Sequence, residues 1–217
     1  MQRIALLGAE CTGKTRLAGE MLGPLSARGA RCQMVSEYLR EWCQSQGRTP
    51  EQAEQIDIAG RQQRRIEQSP AADWLIADST PLLTAVYSDL LFGDDSLYAS
   101  TLLFQRQFDF TLLTATDLPW VADGFQRSGP LQRSQFDARL RRTLDADGQA
   151  YRVIYGSGPE RLQKALAGIG RGEAGDPIEP PIGPDRAGPV WRWSCEKCSD
   201  PECEHRLFTE RLGLRSA

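Results

Sequence analysis

Residues 8–15 read GAECTGKT, with Gly8, four residues, then Gly13, Lys14 and Thr15. This is the spacing of a phosphate loop. An apolar run over Gln2–Leu7 leads into it, and a helical run from Lys14 to about residue 28 leads out of it, with Leu17, Met21, Leu22 and Leu25 on one face. A strand, a glycine-hinged loop and a helix in that order leave few folds open, because the loop must sit at the carboxyl edge of a sheet with the positive end of the helix aimed at an anion. The chemistry explains the residue types. Glycines let backbone N–H groups turn inward around phosphate, Lys14 reaches the β and γ oxygens, and the Thr15 hydroxyl is a ligand for Mg²⁺. Gly8, Ala9, Glu10, Cys11, Thr12, Gly13, Lys14 and Thr15 are therefore read as the nucleotide-binding loop, holding the phosphates of ATP or GTP with Mg²⁺.

The rest of the chain alternates. Strands are expected at Cys32–Ser36, at DWLIA (residues 73–77), at Phe110–Leu113 and at Tyr151–Tyr155. Helices are expected over 37–46, from a Thr49 cap and Pro50 to about residue 68, over 81–91, 96–106, 134–145 and 159–169. Such alternation predicts an α/β fold with a five-stranded parallel sheet flanked by helices. From residue 171 to 190 Gly, Pro and charge dominate, which reads as a linker between a 1–170 kinase domain and a 191–217 tail.

Composition narrows the function. Lys and Arg number 26 against 29 Asp and Glu, a net charge of −3, which does not favour a nucleic-acid partner. No run approaches the ~20 apolar residues that cross a membrane, and the N-terminus lacks signal-peptide character. A cytoplasmic location and a small-molecule substrate are expected.

Three further groups carry candidate chemistry. Asp78 follows the apolar strand at 73–77, where a carboxylate can position the metal; it equally suits a helix cap ahead of Pro81. Glu37 follows the second strand in SEYLREW, with Tyr38, Arg40 and Trp42 around it, at the sheet edge where ligands bind in α/β folds. The segment 117–136, DLPWVADGFQRSGPLQRSQF, holds Trp120, Asp123, Gly124, Arg127 and Arg133 and has the make-up of a lid over a transferring phosphoryl group, or of a basic surface loop.

In that order, GAECTGKT, EYLREW, IADST, PWVADGFQR and QRSQF resemble the ribosylnicotinamide kinase domain of NadR-type proteins, a phosphate-loop NTPase group of AAA type, over roughly residues 2–170. The resemblance implies a phosphate-loop kinase fold, ATP and Mg²⁺ as cofactors, and transfer of the ATP γ-phosphate to the 5′-hydroxyl of nicotinamide riboside. It implies Lys14, Glu37, Asp78, Arg127 and Arg133 as catalytic, with Glu37 or Asp78 taking the hydroxyl proton. It implies Thr15 and Asp78 for magnesium, and Glu37, Tyr38, Arg40, Trp42, Trp120 and Asp123 on the acceptor side, where an aromatic face would suit a cationic ring. The sequence departs from the pattern at Thr80, where a second Asp is frequent, at Ala122, and by a one-residue shift at Arg127. With the loop starting at residue 8 and His205 as the sole histidine, no adenylyltransferase or DNA-binding domain is expected ahead of it. The alternatives are a kinase of another nucleoside or small alcohol, and an ATP-binding regulatory or adaptor module.

The tail reads CEKCSDPECEH, so that Cys195, Cys198, Cys203 and His205 form a CxxC-x4-CxH set. Three thiolates and an imidazole suit tetrahedral, structural zinc; a solvated tail with reactive thiols is the other reading.

Overall fold

In a computed structural model of the chain, residues 1–27, 29–119 and 130–170 are described. The linker 171–190, the tail with Cys195, Cys198, Cys203 and His205, and Trp120, Asp123 and Arg127 lie outside the described residues.

The elements follow in the order β1 (Gln2–Leu7), α1 (Lys14–Ser26), β2 (Cys32–Val35), α2 (Tyr38–Gln46), α3 (Gln52–Glu67), β3 (Trp74–Asp78), α4 (Pro81–Phe92), α5 (Tyr98–Gln105), β4 (Phe110–Thr114), α6 (Pro130–Ala146), β5 (Arg152–Ile154) and α7 (Gly158–Gly168). The sheet is parallel throughout, in the order β2-β3-β1-β4-β5. β1 therefore lies between two strands that come later in the chain, and the strand order reverses there, at the switch point where α/β sheets open a crevice. The phosphate loop leaves the sheet at that point.

The inner strands are mostly apolar and buried because helices cover both faces. Ile4 and Leu6 of β1 pack with Leu17 and Met21 of α1 and Leu166 of α7 on one face. Ala5 and Leu7 pack with Leu82 and Val86 of α4 and Phe136, Leu140 and Leu144 of α6 on the other. The edge strands β2 and β5 are only partly buried.

Among the helix starts that differ from the sequence expectation, two have a visible cause or consequence. α3 begins at Gln52 with Glu51, not Thr49, at the cap position: Glu54 accepts the Glu51 backbone N–H at 2.8 Å and pairs with both terminal nitrogens of Arg48, so the preceding Thr-Pro stays outside the helix. α6 begins at Pro130, four residues before the expected start, which moves Arg133 from a loop into the first turn of a helix. Among the described residues, no helix is long and apolar enough to cross a membrane.

Candidate functional site

The phosphate loop joins β1 to α1. Gly8 has φ +143°, and a Cβ there would collide with Thr114 Oγ1, so only glycine lets the loop leave β1 against β4. Gly13 caps α1 in the left-handed region at φ +75°. Cys11, at φ +54°, holds the same region without a glycine's freedom, a conformation that the surrounding contacts must enforce. Two threonines brace the turn. Thr12 Oγ1 donates to the Ala9 carbonyl at 2.7 Å, and Thr114 Oγ1 lies 2.7 Å from Thr12 Oγ1 and 3.1 Å from the Leu7 carbonyl. Lys14 is buried and its ammonium donates to the carbonyls of Gly8 (3.0 Å) and Ala9 (2.9 Å), so its charge lies across the mouth of the loop.

At the foot of the loop the Thr15 hydroxyl donates to Asp78 Oδ2 at 2.5 Å. Asp78 ends β3, and the register sets it opposite Leu6 of β1. It does not cap the helix that follows: that position is Thr80. Asp78 is 1% exposed and its Oδ1 has no hydrogen-bond partner. A hydroxyl and a carboxylate with one open oxygen, beside a phosphate cradle, are the hard oxygen donors that Mg²⁺ prefers, with phosphate and water completing its shell. Among the described residues, no group of three or more His, Cys, Asp or Glu side chains could hold a metal ion. Ser79, next in the chain, is at φ +78°, a second strained position beside the site.

Support from α7 was not legible in the sequence. The Arg161 guanidinium, its side chain 5% exposed, donates to the Thr12 carbonyl at 2.8 Å, to the Gly156 carbonyl at 2.6 Å and to Asp117 Oδ1 at 3.0 Å. Asp117 also accepts the Gly156 N–H at 2.5 Å. Burial alone would raise the Asp117 pKa, but the Gly156 N–H and the Arg161 guanidinium outweigh it and hold the carboxyl below its usual value. The loop after β4, the loop after β5 and the phosphate loop are thus tied through one guanidinium.

A cleft of about 200 Å³ opens beside the phosphate loop. Glu10 of the loop, Leu39 and Cys43 of α2, Gln55 of α3, Tyr87 and Leu90 of α4, and Phe136 of α6 line it. Glu37 stands at the start of α2, at the tip of β2, the strand paired to β3, with Arg40 Nε 3.5 Å from its carboxylate. Gln62 fixes this turn: it accepts the Tyr38 N–H at 2.7 Å and donates to the carbonyls of Ser36 (3.3 Å) and Ser79 (3.1 Å). The structure thus brings Glu37 and Asp78 to neighbouring strand tips.

It does not bring Glu37, Tyr38, Arg40 or Trp42 into the cleft wall. The Tyr38 ring is covered by the Arg65 guanidinium at 4.6 Å and the Trp42 ring by Arg48 at 4.9 Å, while their helix turns Leu39 and Cys43 to the cleft instead. Arg133 in α6 is buried; it donates to the Leu118 carbonyl at 2.9 Å, and its Nε and Nη2 have no hydrogen-bond partner. Leu118 itself lies against Gly13, which puts a partly unsatisfied cation near the loop. Thr80 donates to Gln105 Oε1 at 2.7 Å, and Gln105 Nε2 donates to Thr111 at 3.1 Å, so position 80 ties α4 to α5 and β4.

Comparison with known proteins places this geometry. No curated protein matches the sequence. Among solved structures, the crystal structure of NadR protein in complex with NR superposes with a TM-score of 0.63 at 20% identity, over 77% of this chain and 50% of that one. NadR protein in complex with NAD and AMP-PNP gives 0.59 at 17% identity, over 77% and 48%. Deoxyadenosine kinase from M.mycoides, with products dCMP and a flexible dCDP bound, gives 0.54 at 12% identity, over 78% of this chain and 99% of that one. The chain spans about half the length of the NadR chains it matches. The likeness is one of fold, and it is a phosphate-loop kinase fold. Residues 3–161 match the family described as AAA domain. Because that match runs from β1 into α7 and takes in the phosphate loop, Asp78 and Arg133, the chain belongs to the AAA domain family.

Proposed function

We propose that the chain is an ATP-dependent small-molecule kinase that transfers the γ-phosphate to the 5′-hydroxyl of nicotinamide riboside. The observation that carries this reading is the cleft that starts at Glu10 of the phosphate loop and runs between α2–α3 and α4–α6. An acceptor there would meet the terminal phosphate of a nucleotide held by the loop.

In this reading Lys14 and the loop N–H groups hold the β and γ phosphates and take up the charge that develops on them. Thr15 and Asp78 would hold Mg²⁺, which would supply positive charge against the charge of the transferring phosphate. Asp78 already engages Thr15 through one oxygen, so Glu37 is the better base. It accepts the 5′-hydroxyl proton while the new O–P bond forms and the bond to the leaving ADP oxygen breaks. Arg133 and Arg127 are assigned to neutralise the transferring group, and Trp120 and Asp123 to the acceptor side.

A second acceptor class has its own support. Thr80 stands where the resembling kinases often carry an Asp, and its hydroxyl is committed to Gln105. The fold also matches a deoxyadenosine kinase over nearly all of that chain.

A coupled ADP-release assay with Mg-ATP tests the reading, with nicotinamide riboside, adenosine, cytidine, uridine or no acceptor. Strong stimulation by nicotinamide riboside supports it. Stimulation by another nucleoside alone moves the acceptor. Tight ATP binding with no stimulation by any acceptor overturns the kinase reading in favour of an ATP-binding regulatory module.

The proposal includes a cytoplasmic enzyme of three parts: the kinase domain to residue 170, the 171–190 linker, and a 191–217 tail holding one structural zinc through Cys195, Cys198, Cys203 and His205. Metal analysis of the full chain should find about one zinc, lost in Cys195→Ser/Cys198→Ser; a metal-free parent protein refutes the zinc site.

A further inference from the structure

The buried stripe of α3 contains Gln55, Ile58, Ala59, Gln62 and Ile66, the spacing of one helical face. Two of these five are glutamines, an unusual choice for a face pressed against a core, since a buried amide must find partners. Gln62 finds them: it accepts one backbone hydrogen bond and donates two, closing the turn that carries Glu37. Gln55 lies two turns nearer the helix start on the same stripe. It is 1% exposed, and neither its Oε1 nor its Nε2 has a hydrogen-bond partner. It also lines the cleft, together with the apolar Leu39, Cys43, Leu90 and Phe136 and the polar Glu10, Tyr87, Gln132 and Gln135.

A carboxamide presents one acceptor and two donors in a plane. Where the protein leaves both its polar atoms without a partner, its natural complement is a planar edge with an adjacent donor and acceptor. We infer that Gln55 is a specificity-determining residue that reads the base of the acceptor, and that the acceptor class is a nucleoside whose base carries such an edge. A primary carboxamide on a pyridine ring fits, as does the amino-and-ring-nitrogen edge of adenine or cytosine. A base bearing a carboxylate, or lacking its exocyclic amino group, does not, because it leaves one of the two buried polar atoms unmatched. The inference rests on the kinase reading and deepens it. It also accounts for the contrast between the two glutamines: Gln62 holds the protein together, whereas Gln55 does not.

That contrast supplies the test. Wild type and Gln55→Leu are assayed for acceptor-dependent ADP release with two matched pairs, nicotinamide riboside against nicotinic acid riboside, and adenosine against purine riboside. Thermal unfolding of both proteins is recorded without ligand. Wild type should prefer the amide- or amino-bearing member of the pair it accepts by about 10- to 100-fold in kcat/KM. Gln55→Leu should raise the KM for that acceptor, leave the KM for ATP in place, and shrink the preference to within about threefold. Its Tm should equal or exceed that of wild type, because an unpaired buried amide is exchanged for an apolar side chain of similar size. An unchanged preference in Gln55→Leu overturns the inference and leaves the kinase reading standing. A lowered Tm also overturns it, by making Gln55 structural. Absence of ADP release by wild type with every nucleoside overturns the kinase reading, and this inference with it.

Discussion

Arg161→Met tests whether α7 holds the phosphate loop in shape. The guanidinium makes three contacts at 2.6 to 3.0 Å, to the Gly156 carbonyl, the Thr12 carbonyl and Asp117. Methionine keeps much of the stem volume and removes all three. The Thr12 carbonyl is left inside a buried loop, and an unsatisfied buried group costs about 1–3 kcal/mol. Asp117 loses its cation; breaking a fully buried pair costs about 3–5 kcal/mol, but Asp117 is 31% exposed and water recovers part of that. A total near 3 kcal/mol follows, at the low end of the buried-pair range. For a domain of this size each kcal/mol moves Tm by about 2–4 °C, so the expected loss is on the order of 10 °C. The pH dependence has a definite sign. The folded Asp117 pKa is depressed, so the pair stabilises above the unfolded value of about 4, and the contribution disappears as pH falls through the folded value. The Tm gap between parent and variant should therefore be full near neutrality and narrow below about pH 4. Thermal unfolding followed by circular dichroism across that range measures both, and nucleotide-protection experiments should show weaker ATP binding in the variant. A Tm within about 2 °C of the parent, or a gap that does not change with pH, would refute the reasoning that this guanidinium supports the loop.

Two other outcomes follow from the geometry. Lys14→Ala should lower kcat/KM by at least about 10²-fold while the fold survives with a lowered Tm, since the Gly8 carbonyl loses its donor inside the loop; steady-state kinetics together with unfolding distinguishes lost chemistry from a folding defect. Tyr98 donates to Asp89 at 2.7 Å, and burial together with that carboxylate pushes its hydroxyl up to about 12. Tyr98→Phe should cost about 1 kcal/mol below pH 10. Because the folded value is raised, the parent should lose the same contribution as pH rises from about 10 towards 12, whereas the variant should not; equal alkaline unfolding curves would contradict this.

The parts of this protein that the sequence alone determined are those written in short-range spacing. GAECTGKT specifies its own turn, because glycine is needed where φ is positive at positions 8 and 13, and lysine and threonine must follow at once to begin the helix. The apolar runs of β1, β3 and β4 announce strands covered on both faces, and their alternation with helices announces the parallel sheet. Asp78 was legible because a strand end is a local feature. Even here the boundaries moved where a side chain chose between caps, as Glu51 and Glu54 did at α3.

Tertiary structure alone decided which side chains share a space. Arg161 sits 149 positions from the carbonyl it holds, and Thr114 lies 102 from Thr12, so no pattern in the chain connects them. Tyr38 and Trp42 look like ligand-facing aromatics beside Glu37, yet Arg65 and Arg48 reach them from α3 and the loop before it. Gln55 and Gln62 are indistinguishable as letters in a polar helix. One was assigned to the backbone of a neighbouring turn and the other to the cleft only when α2, α3 and α4 packed together. The physical reason is the same in each case: spacing along the chain dictates conformation and facing, but a hydrogen bond between distant residues exists only once the sheet has brought them within reach.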